Sequence, residues 1–174
     1  PGTGAVTREL VRHLGPEDCL HLVELNDRFV RLLERRLATE PAFQRVADRV
    51  KVYHRPIQEV EIDEPYDHIV CGIPFNNLSP DLVRSIFDHM VDSLRDGGTL
   101  SFFEYLWVRQ FRMLTPSRKK RKRVAIVGSV LRSYLDRYEL RHDNVYLNVL
   151  PAVAHHLRVE ANGSSEVSHA AVAE

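Results

Sequence analysis

The sequence contains few cysteines and no long apolar segment. Cys19 and Cys71 are its two cysteines, and their wide separation fits neither a disulfide scaffold nor a metal-binding pair. No stretch reaches the ~18 uninterrupted apolar residues that a membrane-spanning helix needs, and no segment resembles a secretory signal. We therefore expect a cytoplasmic protein without a disulfide partner.

The sequence also lacks the patterns of metal sites and of activated nucleophiles. None of the nine histidines stands at ligand spacing from a second donor, and the adjacent His155 and His156 would point to opposite faces of a strand. No Gly-x-Ser-x-Gly motif is present, and Cys71 lies within an apolar run. We expect no metal and no serine or cysteine nucleophile.

The periodicity of the apolar residues predicts alternating helices and strands in an α/β fold. We expect one domain over 1–160, whose largely parallel sheet is closed by an antiparallel hairpin turning at Asp143-Asn144, and a disordered tail over 161–174. The predicted helices cover Ala5–Leu14, a segment after Asn26, a segment from Ser79-Pro80 to Gly97-Gly98, and Val124–Leu135. The predicted strands are Leu20–Leu25, Val50–His54, Tyr66–Cys71, Thr99–Tyr105, Tyr138–His142, Val145–Leu150 and Ala154–Val159.

Charge is balanced over the whole chain but concentrated locally. The sequence has 24 basic and 24 acidic residues. Nine of the basic residues and no acidic residue fall between Tyr105 and Leu135. A cationic segment in an otherwise acidic chain indicates an anionic partner at one place rather than a general nucleic-acid coat.

A glycine-rich turn and a distant glutamate predict a nucleotide site. Gly2-Thr3-Gly4 opens the first predicted helix, and Glu24 ends the next predicted strand. Glycines allow backbone N–H groups to approach a ligand, while a carboxylate at that strand end accepts ribose hydroxyls. The alternative is a tight turn with a surface glutamate. Such a turn normally follows a buried strand, so we expect a first strand that is missing from this chain.

These residues give the sequence a family resemblance. Pro1-Gly2-Thr3-Gly4, a strand ending in Glu24 and a strand ending in Gly72-Ile73-Pro74-Phe75 resemble the class I S-adenosylmethionine-dependent methyltransferases. The resemblance implies a Rossmann-like fold and an enzyme with S-adenosylmethionine as its cofactor. The cofactor-binding positions it implies are Gly2, Thr3, Gly4, Glu24, Leu25, Pro56, Ile57 and Gly72.

Within that family the sequence is most similar to the bacterial phospholipid N-methyltransferases. It shares their Gly-hydrophobic-Pro turn at Gly72-Ile73-Pro74 and an Asn-x-x-Pro element, here Asn148 and Pro151. The ribosomal RNA adenine dimethylases resemble it more distantly, because they carry Asn where this chain has Gly72. The resemblance implies N-methylation of phosphatidylethanolamine. The alternatives are an adenine in ribosomal RNA, a small molecule, or a membrane- or RNA-docking module that has lost its cofactor site.

The phospholipid hypothesis assigns further residues to the acceptor. A primary amine must lose a proton before it accepts a methyl group, and Glu104, Tyr105 and Tyr146 are the candidate catalytic residues. Ile73, Pro74 and Phe75 would contact the substrate. Arg118, Lys119, Lys120 and Arg121 would bind an anionic membrane peripherally at the inner face, or RNA phosphates in the alternative. Each of these residues has a purely structural alternative.

Overall fold

The computed structural model describes residues 1–105, 118–145 and 152–160. Its helices are α1 (Ala5–His13), α2 (Asp27–Thr39), α3 (Pro41–Gln44), α4 (Pro80–Asp92) and α5 (Arg118–Tyr138). Its strands are β1 (Leu20–Val23), β2 (Val50–Tyr53), β3 (Tyr66–Cys71), β4 (Leu94–Tyr105), β5 (Glu139–Val145) and β6 (Ala152–Arg158). Tyr146, the Asn148–Pro151 element and the tail 161–174 lie outside the described residues, as do the side chains of Tyr105, Lys119 and Lys120.

Two of the long helices begin at the capping residues that the sequence predicts. The Asn26 side chain accepts a hydrogen bond from the amide of Arg28 at 3.0 Å, which caps α2. The Ser79 hydroxyl accepts one from the amide of Leu82, and Pro80 occupies the first turn of α4. These caps fix the points at which the chain leaves β1 and β3.

The described strands form two sheets. β1 and β2 pair in parallel. The second sheet has the order β3-β4-β6-β5, in which β3 and β4 are parallel while β6 is antiparallel to both of its neighbours. The imidazole Nδ1 of His21 on β1 lies 2.7 Å from the hydroxyl of Tyr66 on β3 and connects the sheets. The second sheet therefore has one parallel and two antiparallel strand pairs, whereas the sequence predicts a largely parallel sheet.

The glycine pair Gly97-Gly98 was expected to end a helix, and this prediction is wrong. Helix α4 ends at Asp92, and the following Leu94 pairs with Tyr66 and is 7% exposed. Gly97 has a left-handed φ of 74° within β4, and a Cβ on Gly98 would lie 2.8 Å from a backbone oxygen. The pair marks an irregularity inside a strand, where the backbone angle disfavours a side chain at Gly97 and a backbone oxygen excludes one at Gly98.

The end of the domain also differs from the sequence prediction. Asp143 and Asn144 lie inside β5, opposite Ala154 and Val153 of β6, so the predicted turn at that place is wrong. Polar residues are accommodated there because β5 is an edge strand and is exposed along its length. Helix α5 begins at Arg118, so the basic run forms its first turns.

Helices α4 and α5 cover one face of the second sheet and form its core. Phe87, Met90, Leu100, Phe102 and Leu131 are among the largest fully buried side chains there. A smaller cluster of Val11, Phe43 and Val46 holds α1 against α3. Among the described residues no helix is both long and apolar enough to cross a bilayer.

Candidate cofactor and acceptor site

The glycine turn and Glu24 are in direct contact, as the nucleotide-site prediction requires. Gly2 and Gly4 have left-handed φ angles of 55° and 79°. The amide of Gly2 donates a hydrogen bond of 2.9 Å to Oε2 of Glu24, across 22 residues of sequence. The start of α1 and the carboxyl end of β1 therefore form one turn-and-carboxylate site, with Thr3 exposed between the glycines.

The two glycines are needed for different reasons. A Cβ on Gly4 would lie 3.1 Å from Cδ2 of Leu33, which is fully buried on α2. A Cβ on Gly2 would meet no atom within 4 Å. Gly4 thus permits close packing of the turn against α2, whereas Gly2 borders open space that a ligand can enter.

Glu24 is held ionised by backbone amides. Its Oε1 accepts hydrogen bonds from the amides of Leu25 and Asn26, each at 2.9 Å. Burial alone would raise the pKa of Glu24, but the hydrogen bonds from the amides of Asn26, Gly2 and Leu25, together with the positive charge of the amino group of Pro1, outweigh it and hold the pKa below its usual range. Hydrogen bonds fill three of the carboxylate's roughly four acceptor positions, and the fourth, on Oε2, faces the amino group of Pro1 at 3.7 Å, beyond hydrogen-bonding distance, so it can accept from a hydroxyl donor. This fits the ribose of S-adenosylmethionine.

Of the remaining predicted cofactor positions, Leu25 adjoins Glu24, whereas Pro56 and Ile57 follow β2. Leu25 is 65% exposed, and its carbonyl oxygen lies 3.2 Å from Nε2 of His54 at the end of β2. Pro56 precedes a short 3₁₀ helix whose Ile57 packs against the main core. A polar groove of about 350 Å³ runs along β2 and contains none of the predicted cofactor residues; its lining includes Lys51, Tyr53, Arg55, Glu61 and Asp63.

The predicted acceptor turn follows β3 and is held by the core. Gly72 is exposed, and a Cβ there would make an ordinary contact of 3.6 Å with the ring of Phe103. Phe75 is 4% exposed, with its ring 4.9 Å from that of Phe87 and 5.9 Å from that of Phe102. The ring of Phe75 therefore anchors the turn, and Ile73 and Pro74 remain the side chains closer to solvent.

Glu104 lies in a cluster of ionisable groups that sequence reasoning missed. His155 of β6 stacks on Phe102 at a ring separation of 5.1 Å, and its Nδ1 lies 2.7 Å from Oε1 of Glu139. Its Nε2 lies 3.9 Å from Oε2 of Glu104. His142 approaches the same oxygen of Glu139 at 3.5 Å. The cross-strand register that assembles this cluster was not readable from the sequence.

The cluster lies level with the carboxyl end of β3. Phe102 pairs with Cys71, the last residue of β3, on one side and with His155 on the other. Glu104 is two residues further along β4, beyond that edge. In the described part of the chain, no group of three or more His, Cys, Asp or Glu side chains is arranged to hold a metal ion.

One relative among curated proteins carries a functional name. The chain is 28% identical over 110 residues to an ornithine lipid N-methyltransferase of Singulisphaera acidiphila. This match covers 63% of the chain, and it spans 57% of the relative, which is little more than half of that protein.

Solved structures share the fold at low sequence identity. The N-methyltransferase NodS of Bradyrhizobium japonicum superposes with a TM-score of 0.64 at 19% identity, covering 91% of this chain and 82% of that one. A putative rRNA methylase of Clostridium thermocellum also gives 0.64, at 14% identity and with 91% and 83% covered. These structures confirm the predicted Rossmann-like class I methyltransferase fold and leave the acceptor open.

The family is shown by a match to a family model. The sequence model of the methyltransferase domain matches residues 1–98, which include the glycine turn, Glu24 and the turn after β3. The predictions of a methyltransferase and of its cofactor are thereby confirmed. The chain belongs to the methyltransferase domain family, whose cofactor is S-adenosylmethionine.

Proposed function

We propose that the protein transfers methyl groups from S-adenosylmethionine to the primary amine of a membrane lipid head group, with phosphatidylethanolamine as the substrate. The observation that carries the proposal is the cationic start of α5 at the carboxyl edge of the sheet. The similarity to a lipid N-methyltransferase supports the same class of acceptor. When bound, the cofactor supplies an electrophilic methyl group, which Glu24 and the glycine turn would orient.

The direction of α5 follows from its contacts. The hydroxyl of Tyr134 bonds to Asp88 and to the carbonyl of Arg84 on α4. Helix α5 also contacts the 3₁₀ helix Phe75–Asn77, which precedes α4, and it leads directly into Glu139, which pairs with Leu157 opposite Leu100, away from the carboxyl end of β4. The two helices therefore run in the same direction. Arg118 precedes Tyr134 by about 24 Å of helix, at 1.5 Å per residue, and so lies toward the carboxyl end of β3.

The charges on α5 oppose the stability of the helix. Its first turn has no acidic residue, and the described side chains among its first six residues are exposed and cationic: Arg118, Arg121, Lys122 and Arg123. Cations near a helix N-terminus are destabilising by about 0.3–1 kcal/mol each, because the helix dipole is positive there. Helix formation alone does not favour this composition, whereas an anionic surface does. Ile126, 41% exposed on the next turn, adds an apolar contact.

A vesicle assay tests the proposal. The protein is incubated with S-adenosylmethionine and vesicles of phosphatidylethanolamine and phosphatidylglycerol, and the extracted lipids are examined by mass spectrometry for added methyl groups. Parallel reactions contain an ornithine lipid or ribosomal RNA instead. We expect methylated phosphatidylethanolamine, lost in Glu24→Ala. Methylation of ornithine lipid alone would move the substrate to that lipid, and methylation of RNA alone would refute the lipid proposal.

Vesicle binding tests the role of the basic turns separately. Each basic residue near an anionic surface contributes about 1 kcal/mol. Neutralising Arg118, Arg121, Lys122 and Arg123 with glutamine should therefore weaken sedimentation with anionic vesicles by up to about 1,000-fold. The control changes the same net charge at exposed arginines of α1 and α2, namely Arg12, Arg28, Arg31 and Arg35. An equal loss in both variants would show general charge attraction rather than docking through α5.

A further inference from the structure

We propose that His155 accepts the proton of the acceptor's ammonium group, while Glu104 binds the same group as a second hydrogen-bond acceptor. This inference rests on the proposed function, because it assigns a base to the methylation of a lipid amine. It concerns a place in the fold that lies next to the acceptor turn and that the cofactor residues do not use.

The tautomer of His155 follows from its partner. Nδ1 lies 2.7 Å from Oε1 of Glu139. A carboxylate can only accept a hydrogen bond, so the proton of the neutral imidazole is on Nδ1 and the lone pair is on Nε2. Glu139 therefore orients the ring and stabilises the imidazolium that forms when Nε2 takes up a proton.

In the neutral form of the ring, two acceptor atoms then face each other. Nε2 of His155 and Oε2 of Glu104 are 3.9 Å apart, which exceeds hydrogen-bonding distance. A nitrogen placed about 2.8 Å from both atoms would make an angle of about 90° between them, which two N–H bonds of one ammonium can approach. The pair thus fits a primary ammonium group and disfavours a hydroxyl, which has one proton to donate.

The surroundings of this pair favour a cationic acceptor. The His155 side chain is 14% exposed and that of Glu104 is 20% exposed, so their charges are partly shielded from water. Two carboxylates, Glu104 and Glu139, flank the imidazole ring of His155. His142 also approaches Glu139, at 3.5 Å and from the same strand.

The proposed step conserves protons and electrons. One N–H proton of the ammonium moves to Nε2 of His155, which leaves a lone pair on the amine nitrogen. That pair forms the new bond to the methyl carbon while the carbon–sulfur bond breaks and its electrons remain on sulfur. The product is a methylated ammonium, and the proton on His155 is released to water before the next round.

Ligand binding tests the geometry without any methyl transfer. The chain is labelled with ¹⁵N in its histidines and titrated with ethanolamine, a primary ammonium, and with choline, whose quaternary nitrogen carries no N–H. We expect ethanolamine to shift the Nε2 resonance of His155 and choline to leave it unchanged. No shift over the ethanolamine titration, or an equal shift with choline, would overturn the proposal.

Kinetics with adjacent histidines test the proton transfer. His156 is the matched control, because it points to the opposite face and contacts Ser101 and Asp143. His155→Gln should lower kcat for phosphatidylethanolamine about 100-fold while the KM for S-adenosylmethionine stays constant, and His156→Gln should change kcat less than twofold. The loss in His155→Gln should shrink at alkaline pH, where the free amine needs no base. Equal rates in the two variants would overturn the proposal.

Two further measurements distinguish a failure of this proposal from misfolding of a variant and from a failure of the proposed function. Glu139→Gln changes an exposed position on an edge strand and is therefore expected to fold even if His155→Gln does not. It removes the carboxylate that orients the His155 ring. We expect about a tenfold lower kcat and an unchanged midpoint temperature of unfolding. An unchanged kcat in Glu139→Gln would count against the proposal. A wild-type protein that methylates no lipid amine would refute the proposed function, while the ethanolamine titration would still decide whether this pair binds an ammonium.

Discussion

The two glycines of the first turn provide a matched pair of substitutions. Gly2→Ala and Gly4→Ala each place a Cβ on a residue with left-handed φ, which costs about 1–2 kcal/mol. At Gly4 the new Cβ also meets Leu33 at 3.1 Å, whereas at Gly2 it meets nothing within 4 Å. The difference between the two variants therefore isolates the steric contact with α2.

The size of that difference follows from the burial of Leu33. This side chain is fully buried, so any movement away from the new Cβ must displace the side chains packed around it. Overpacking of a filled core costs about 1–3 kcal/mol. Gly4→Ala should thus lower the free energy of unfolding by about 1–3 kcal/mol more than Gly2→Ala, or by about 2–12 °C in midpoint temperature for a chain of this size.

For the affinity of cofactor binding we expect the opposite order, with the larger loss in Gly2→Ala. The Cβ of Gly2→Ala enters the open space beside Glu24, so it should weaken S-adenosylmethionine binding without a further loss of stability. Urea unfolding and calorimetric titration measure the two effects on the same samples. In the double variant Gly4→Ala/Leu33→Ala the contact between the new Cβ and the Leu33 side chain is absent. The double variant should therefore lose less free energy of unfolding than the sum of the losses in the two single variants. Equal destabilisation by both alanines, or additivity in the double variant, would refute the reasoning.

Two further predictions concern ionisation. The pKa of Glu24 is lower in the folded protein than its ordinary value of 4.5, so the ionised carboxylate stabilises the fold above pH 4.5. This contribution is lost as the pH falls through the pKa of the folded state. The difference in free energy of unfolding between wild type and Glu24→Gln, measured by urea unfolding, should therefore narrow over that acid range. Burial raises the pKa of Cys71 to about 11, so the native protein should react rapidly with a thiol reagent at Cys19 alone. Rapid modification of two thiols per chain before denaturation would contradict this prediction.

The sequence was most informative where one local pattern determines the structure. The cap at Asn26 and the Ser79-Pro80 start of α4 were readable because a side chain satisfies backbone groups within three residues. The contact between Gly2 and Glu24 was also predictable, because a glycine turn that opens a helix and the carboxyl end of the next strand meet at the same edge of such a sheet. These features depend on short-range chemistry and on one topological rule.

Features that depend on register were not predictable. Gly97-Gly98 has the composition of a helix end, yet the pairing of Leu94 with Tyr66 places it in a strand. His155 and Glu139 are separated by 16 residues and meet because β5 and β6 pair in one particular register. Periodicity correctly placed His155 and His156 on opposite faces, but it could not indicate which side chains each of them would face.

The proposed lipid function and the proposed base together require a substrate that carries both a negative and a positive charge. A phosphatidylethanolamine head group carries a phosphate and an ammonium separated by two carbons, so it needs cations and carboxylates at the same edge of the sheet. The basic turns of α5 would supply the first, and Glu104 with His155 the second. RNA satisfies the basic turns equally well, but its exocyclic amines are neutral and cannot compensate the flanking carboxylates. The acidic cluster, rather than the basic segment, is therefore what distinguishes a lipid amine from a nucleic acid base.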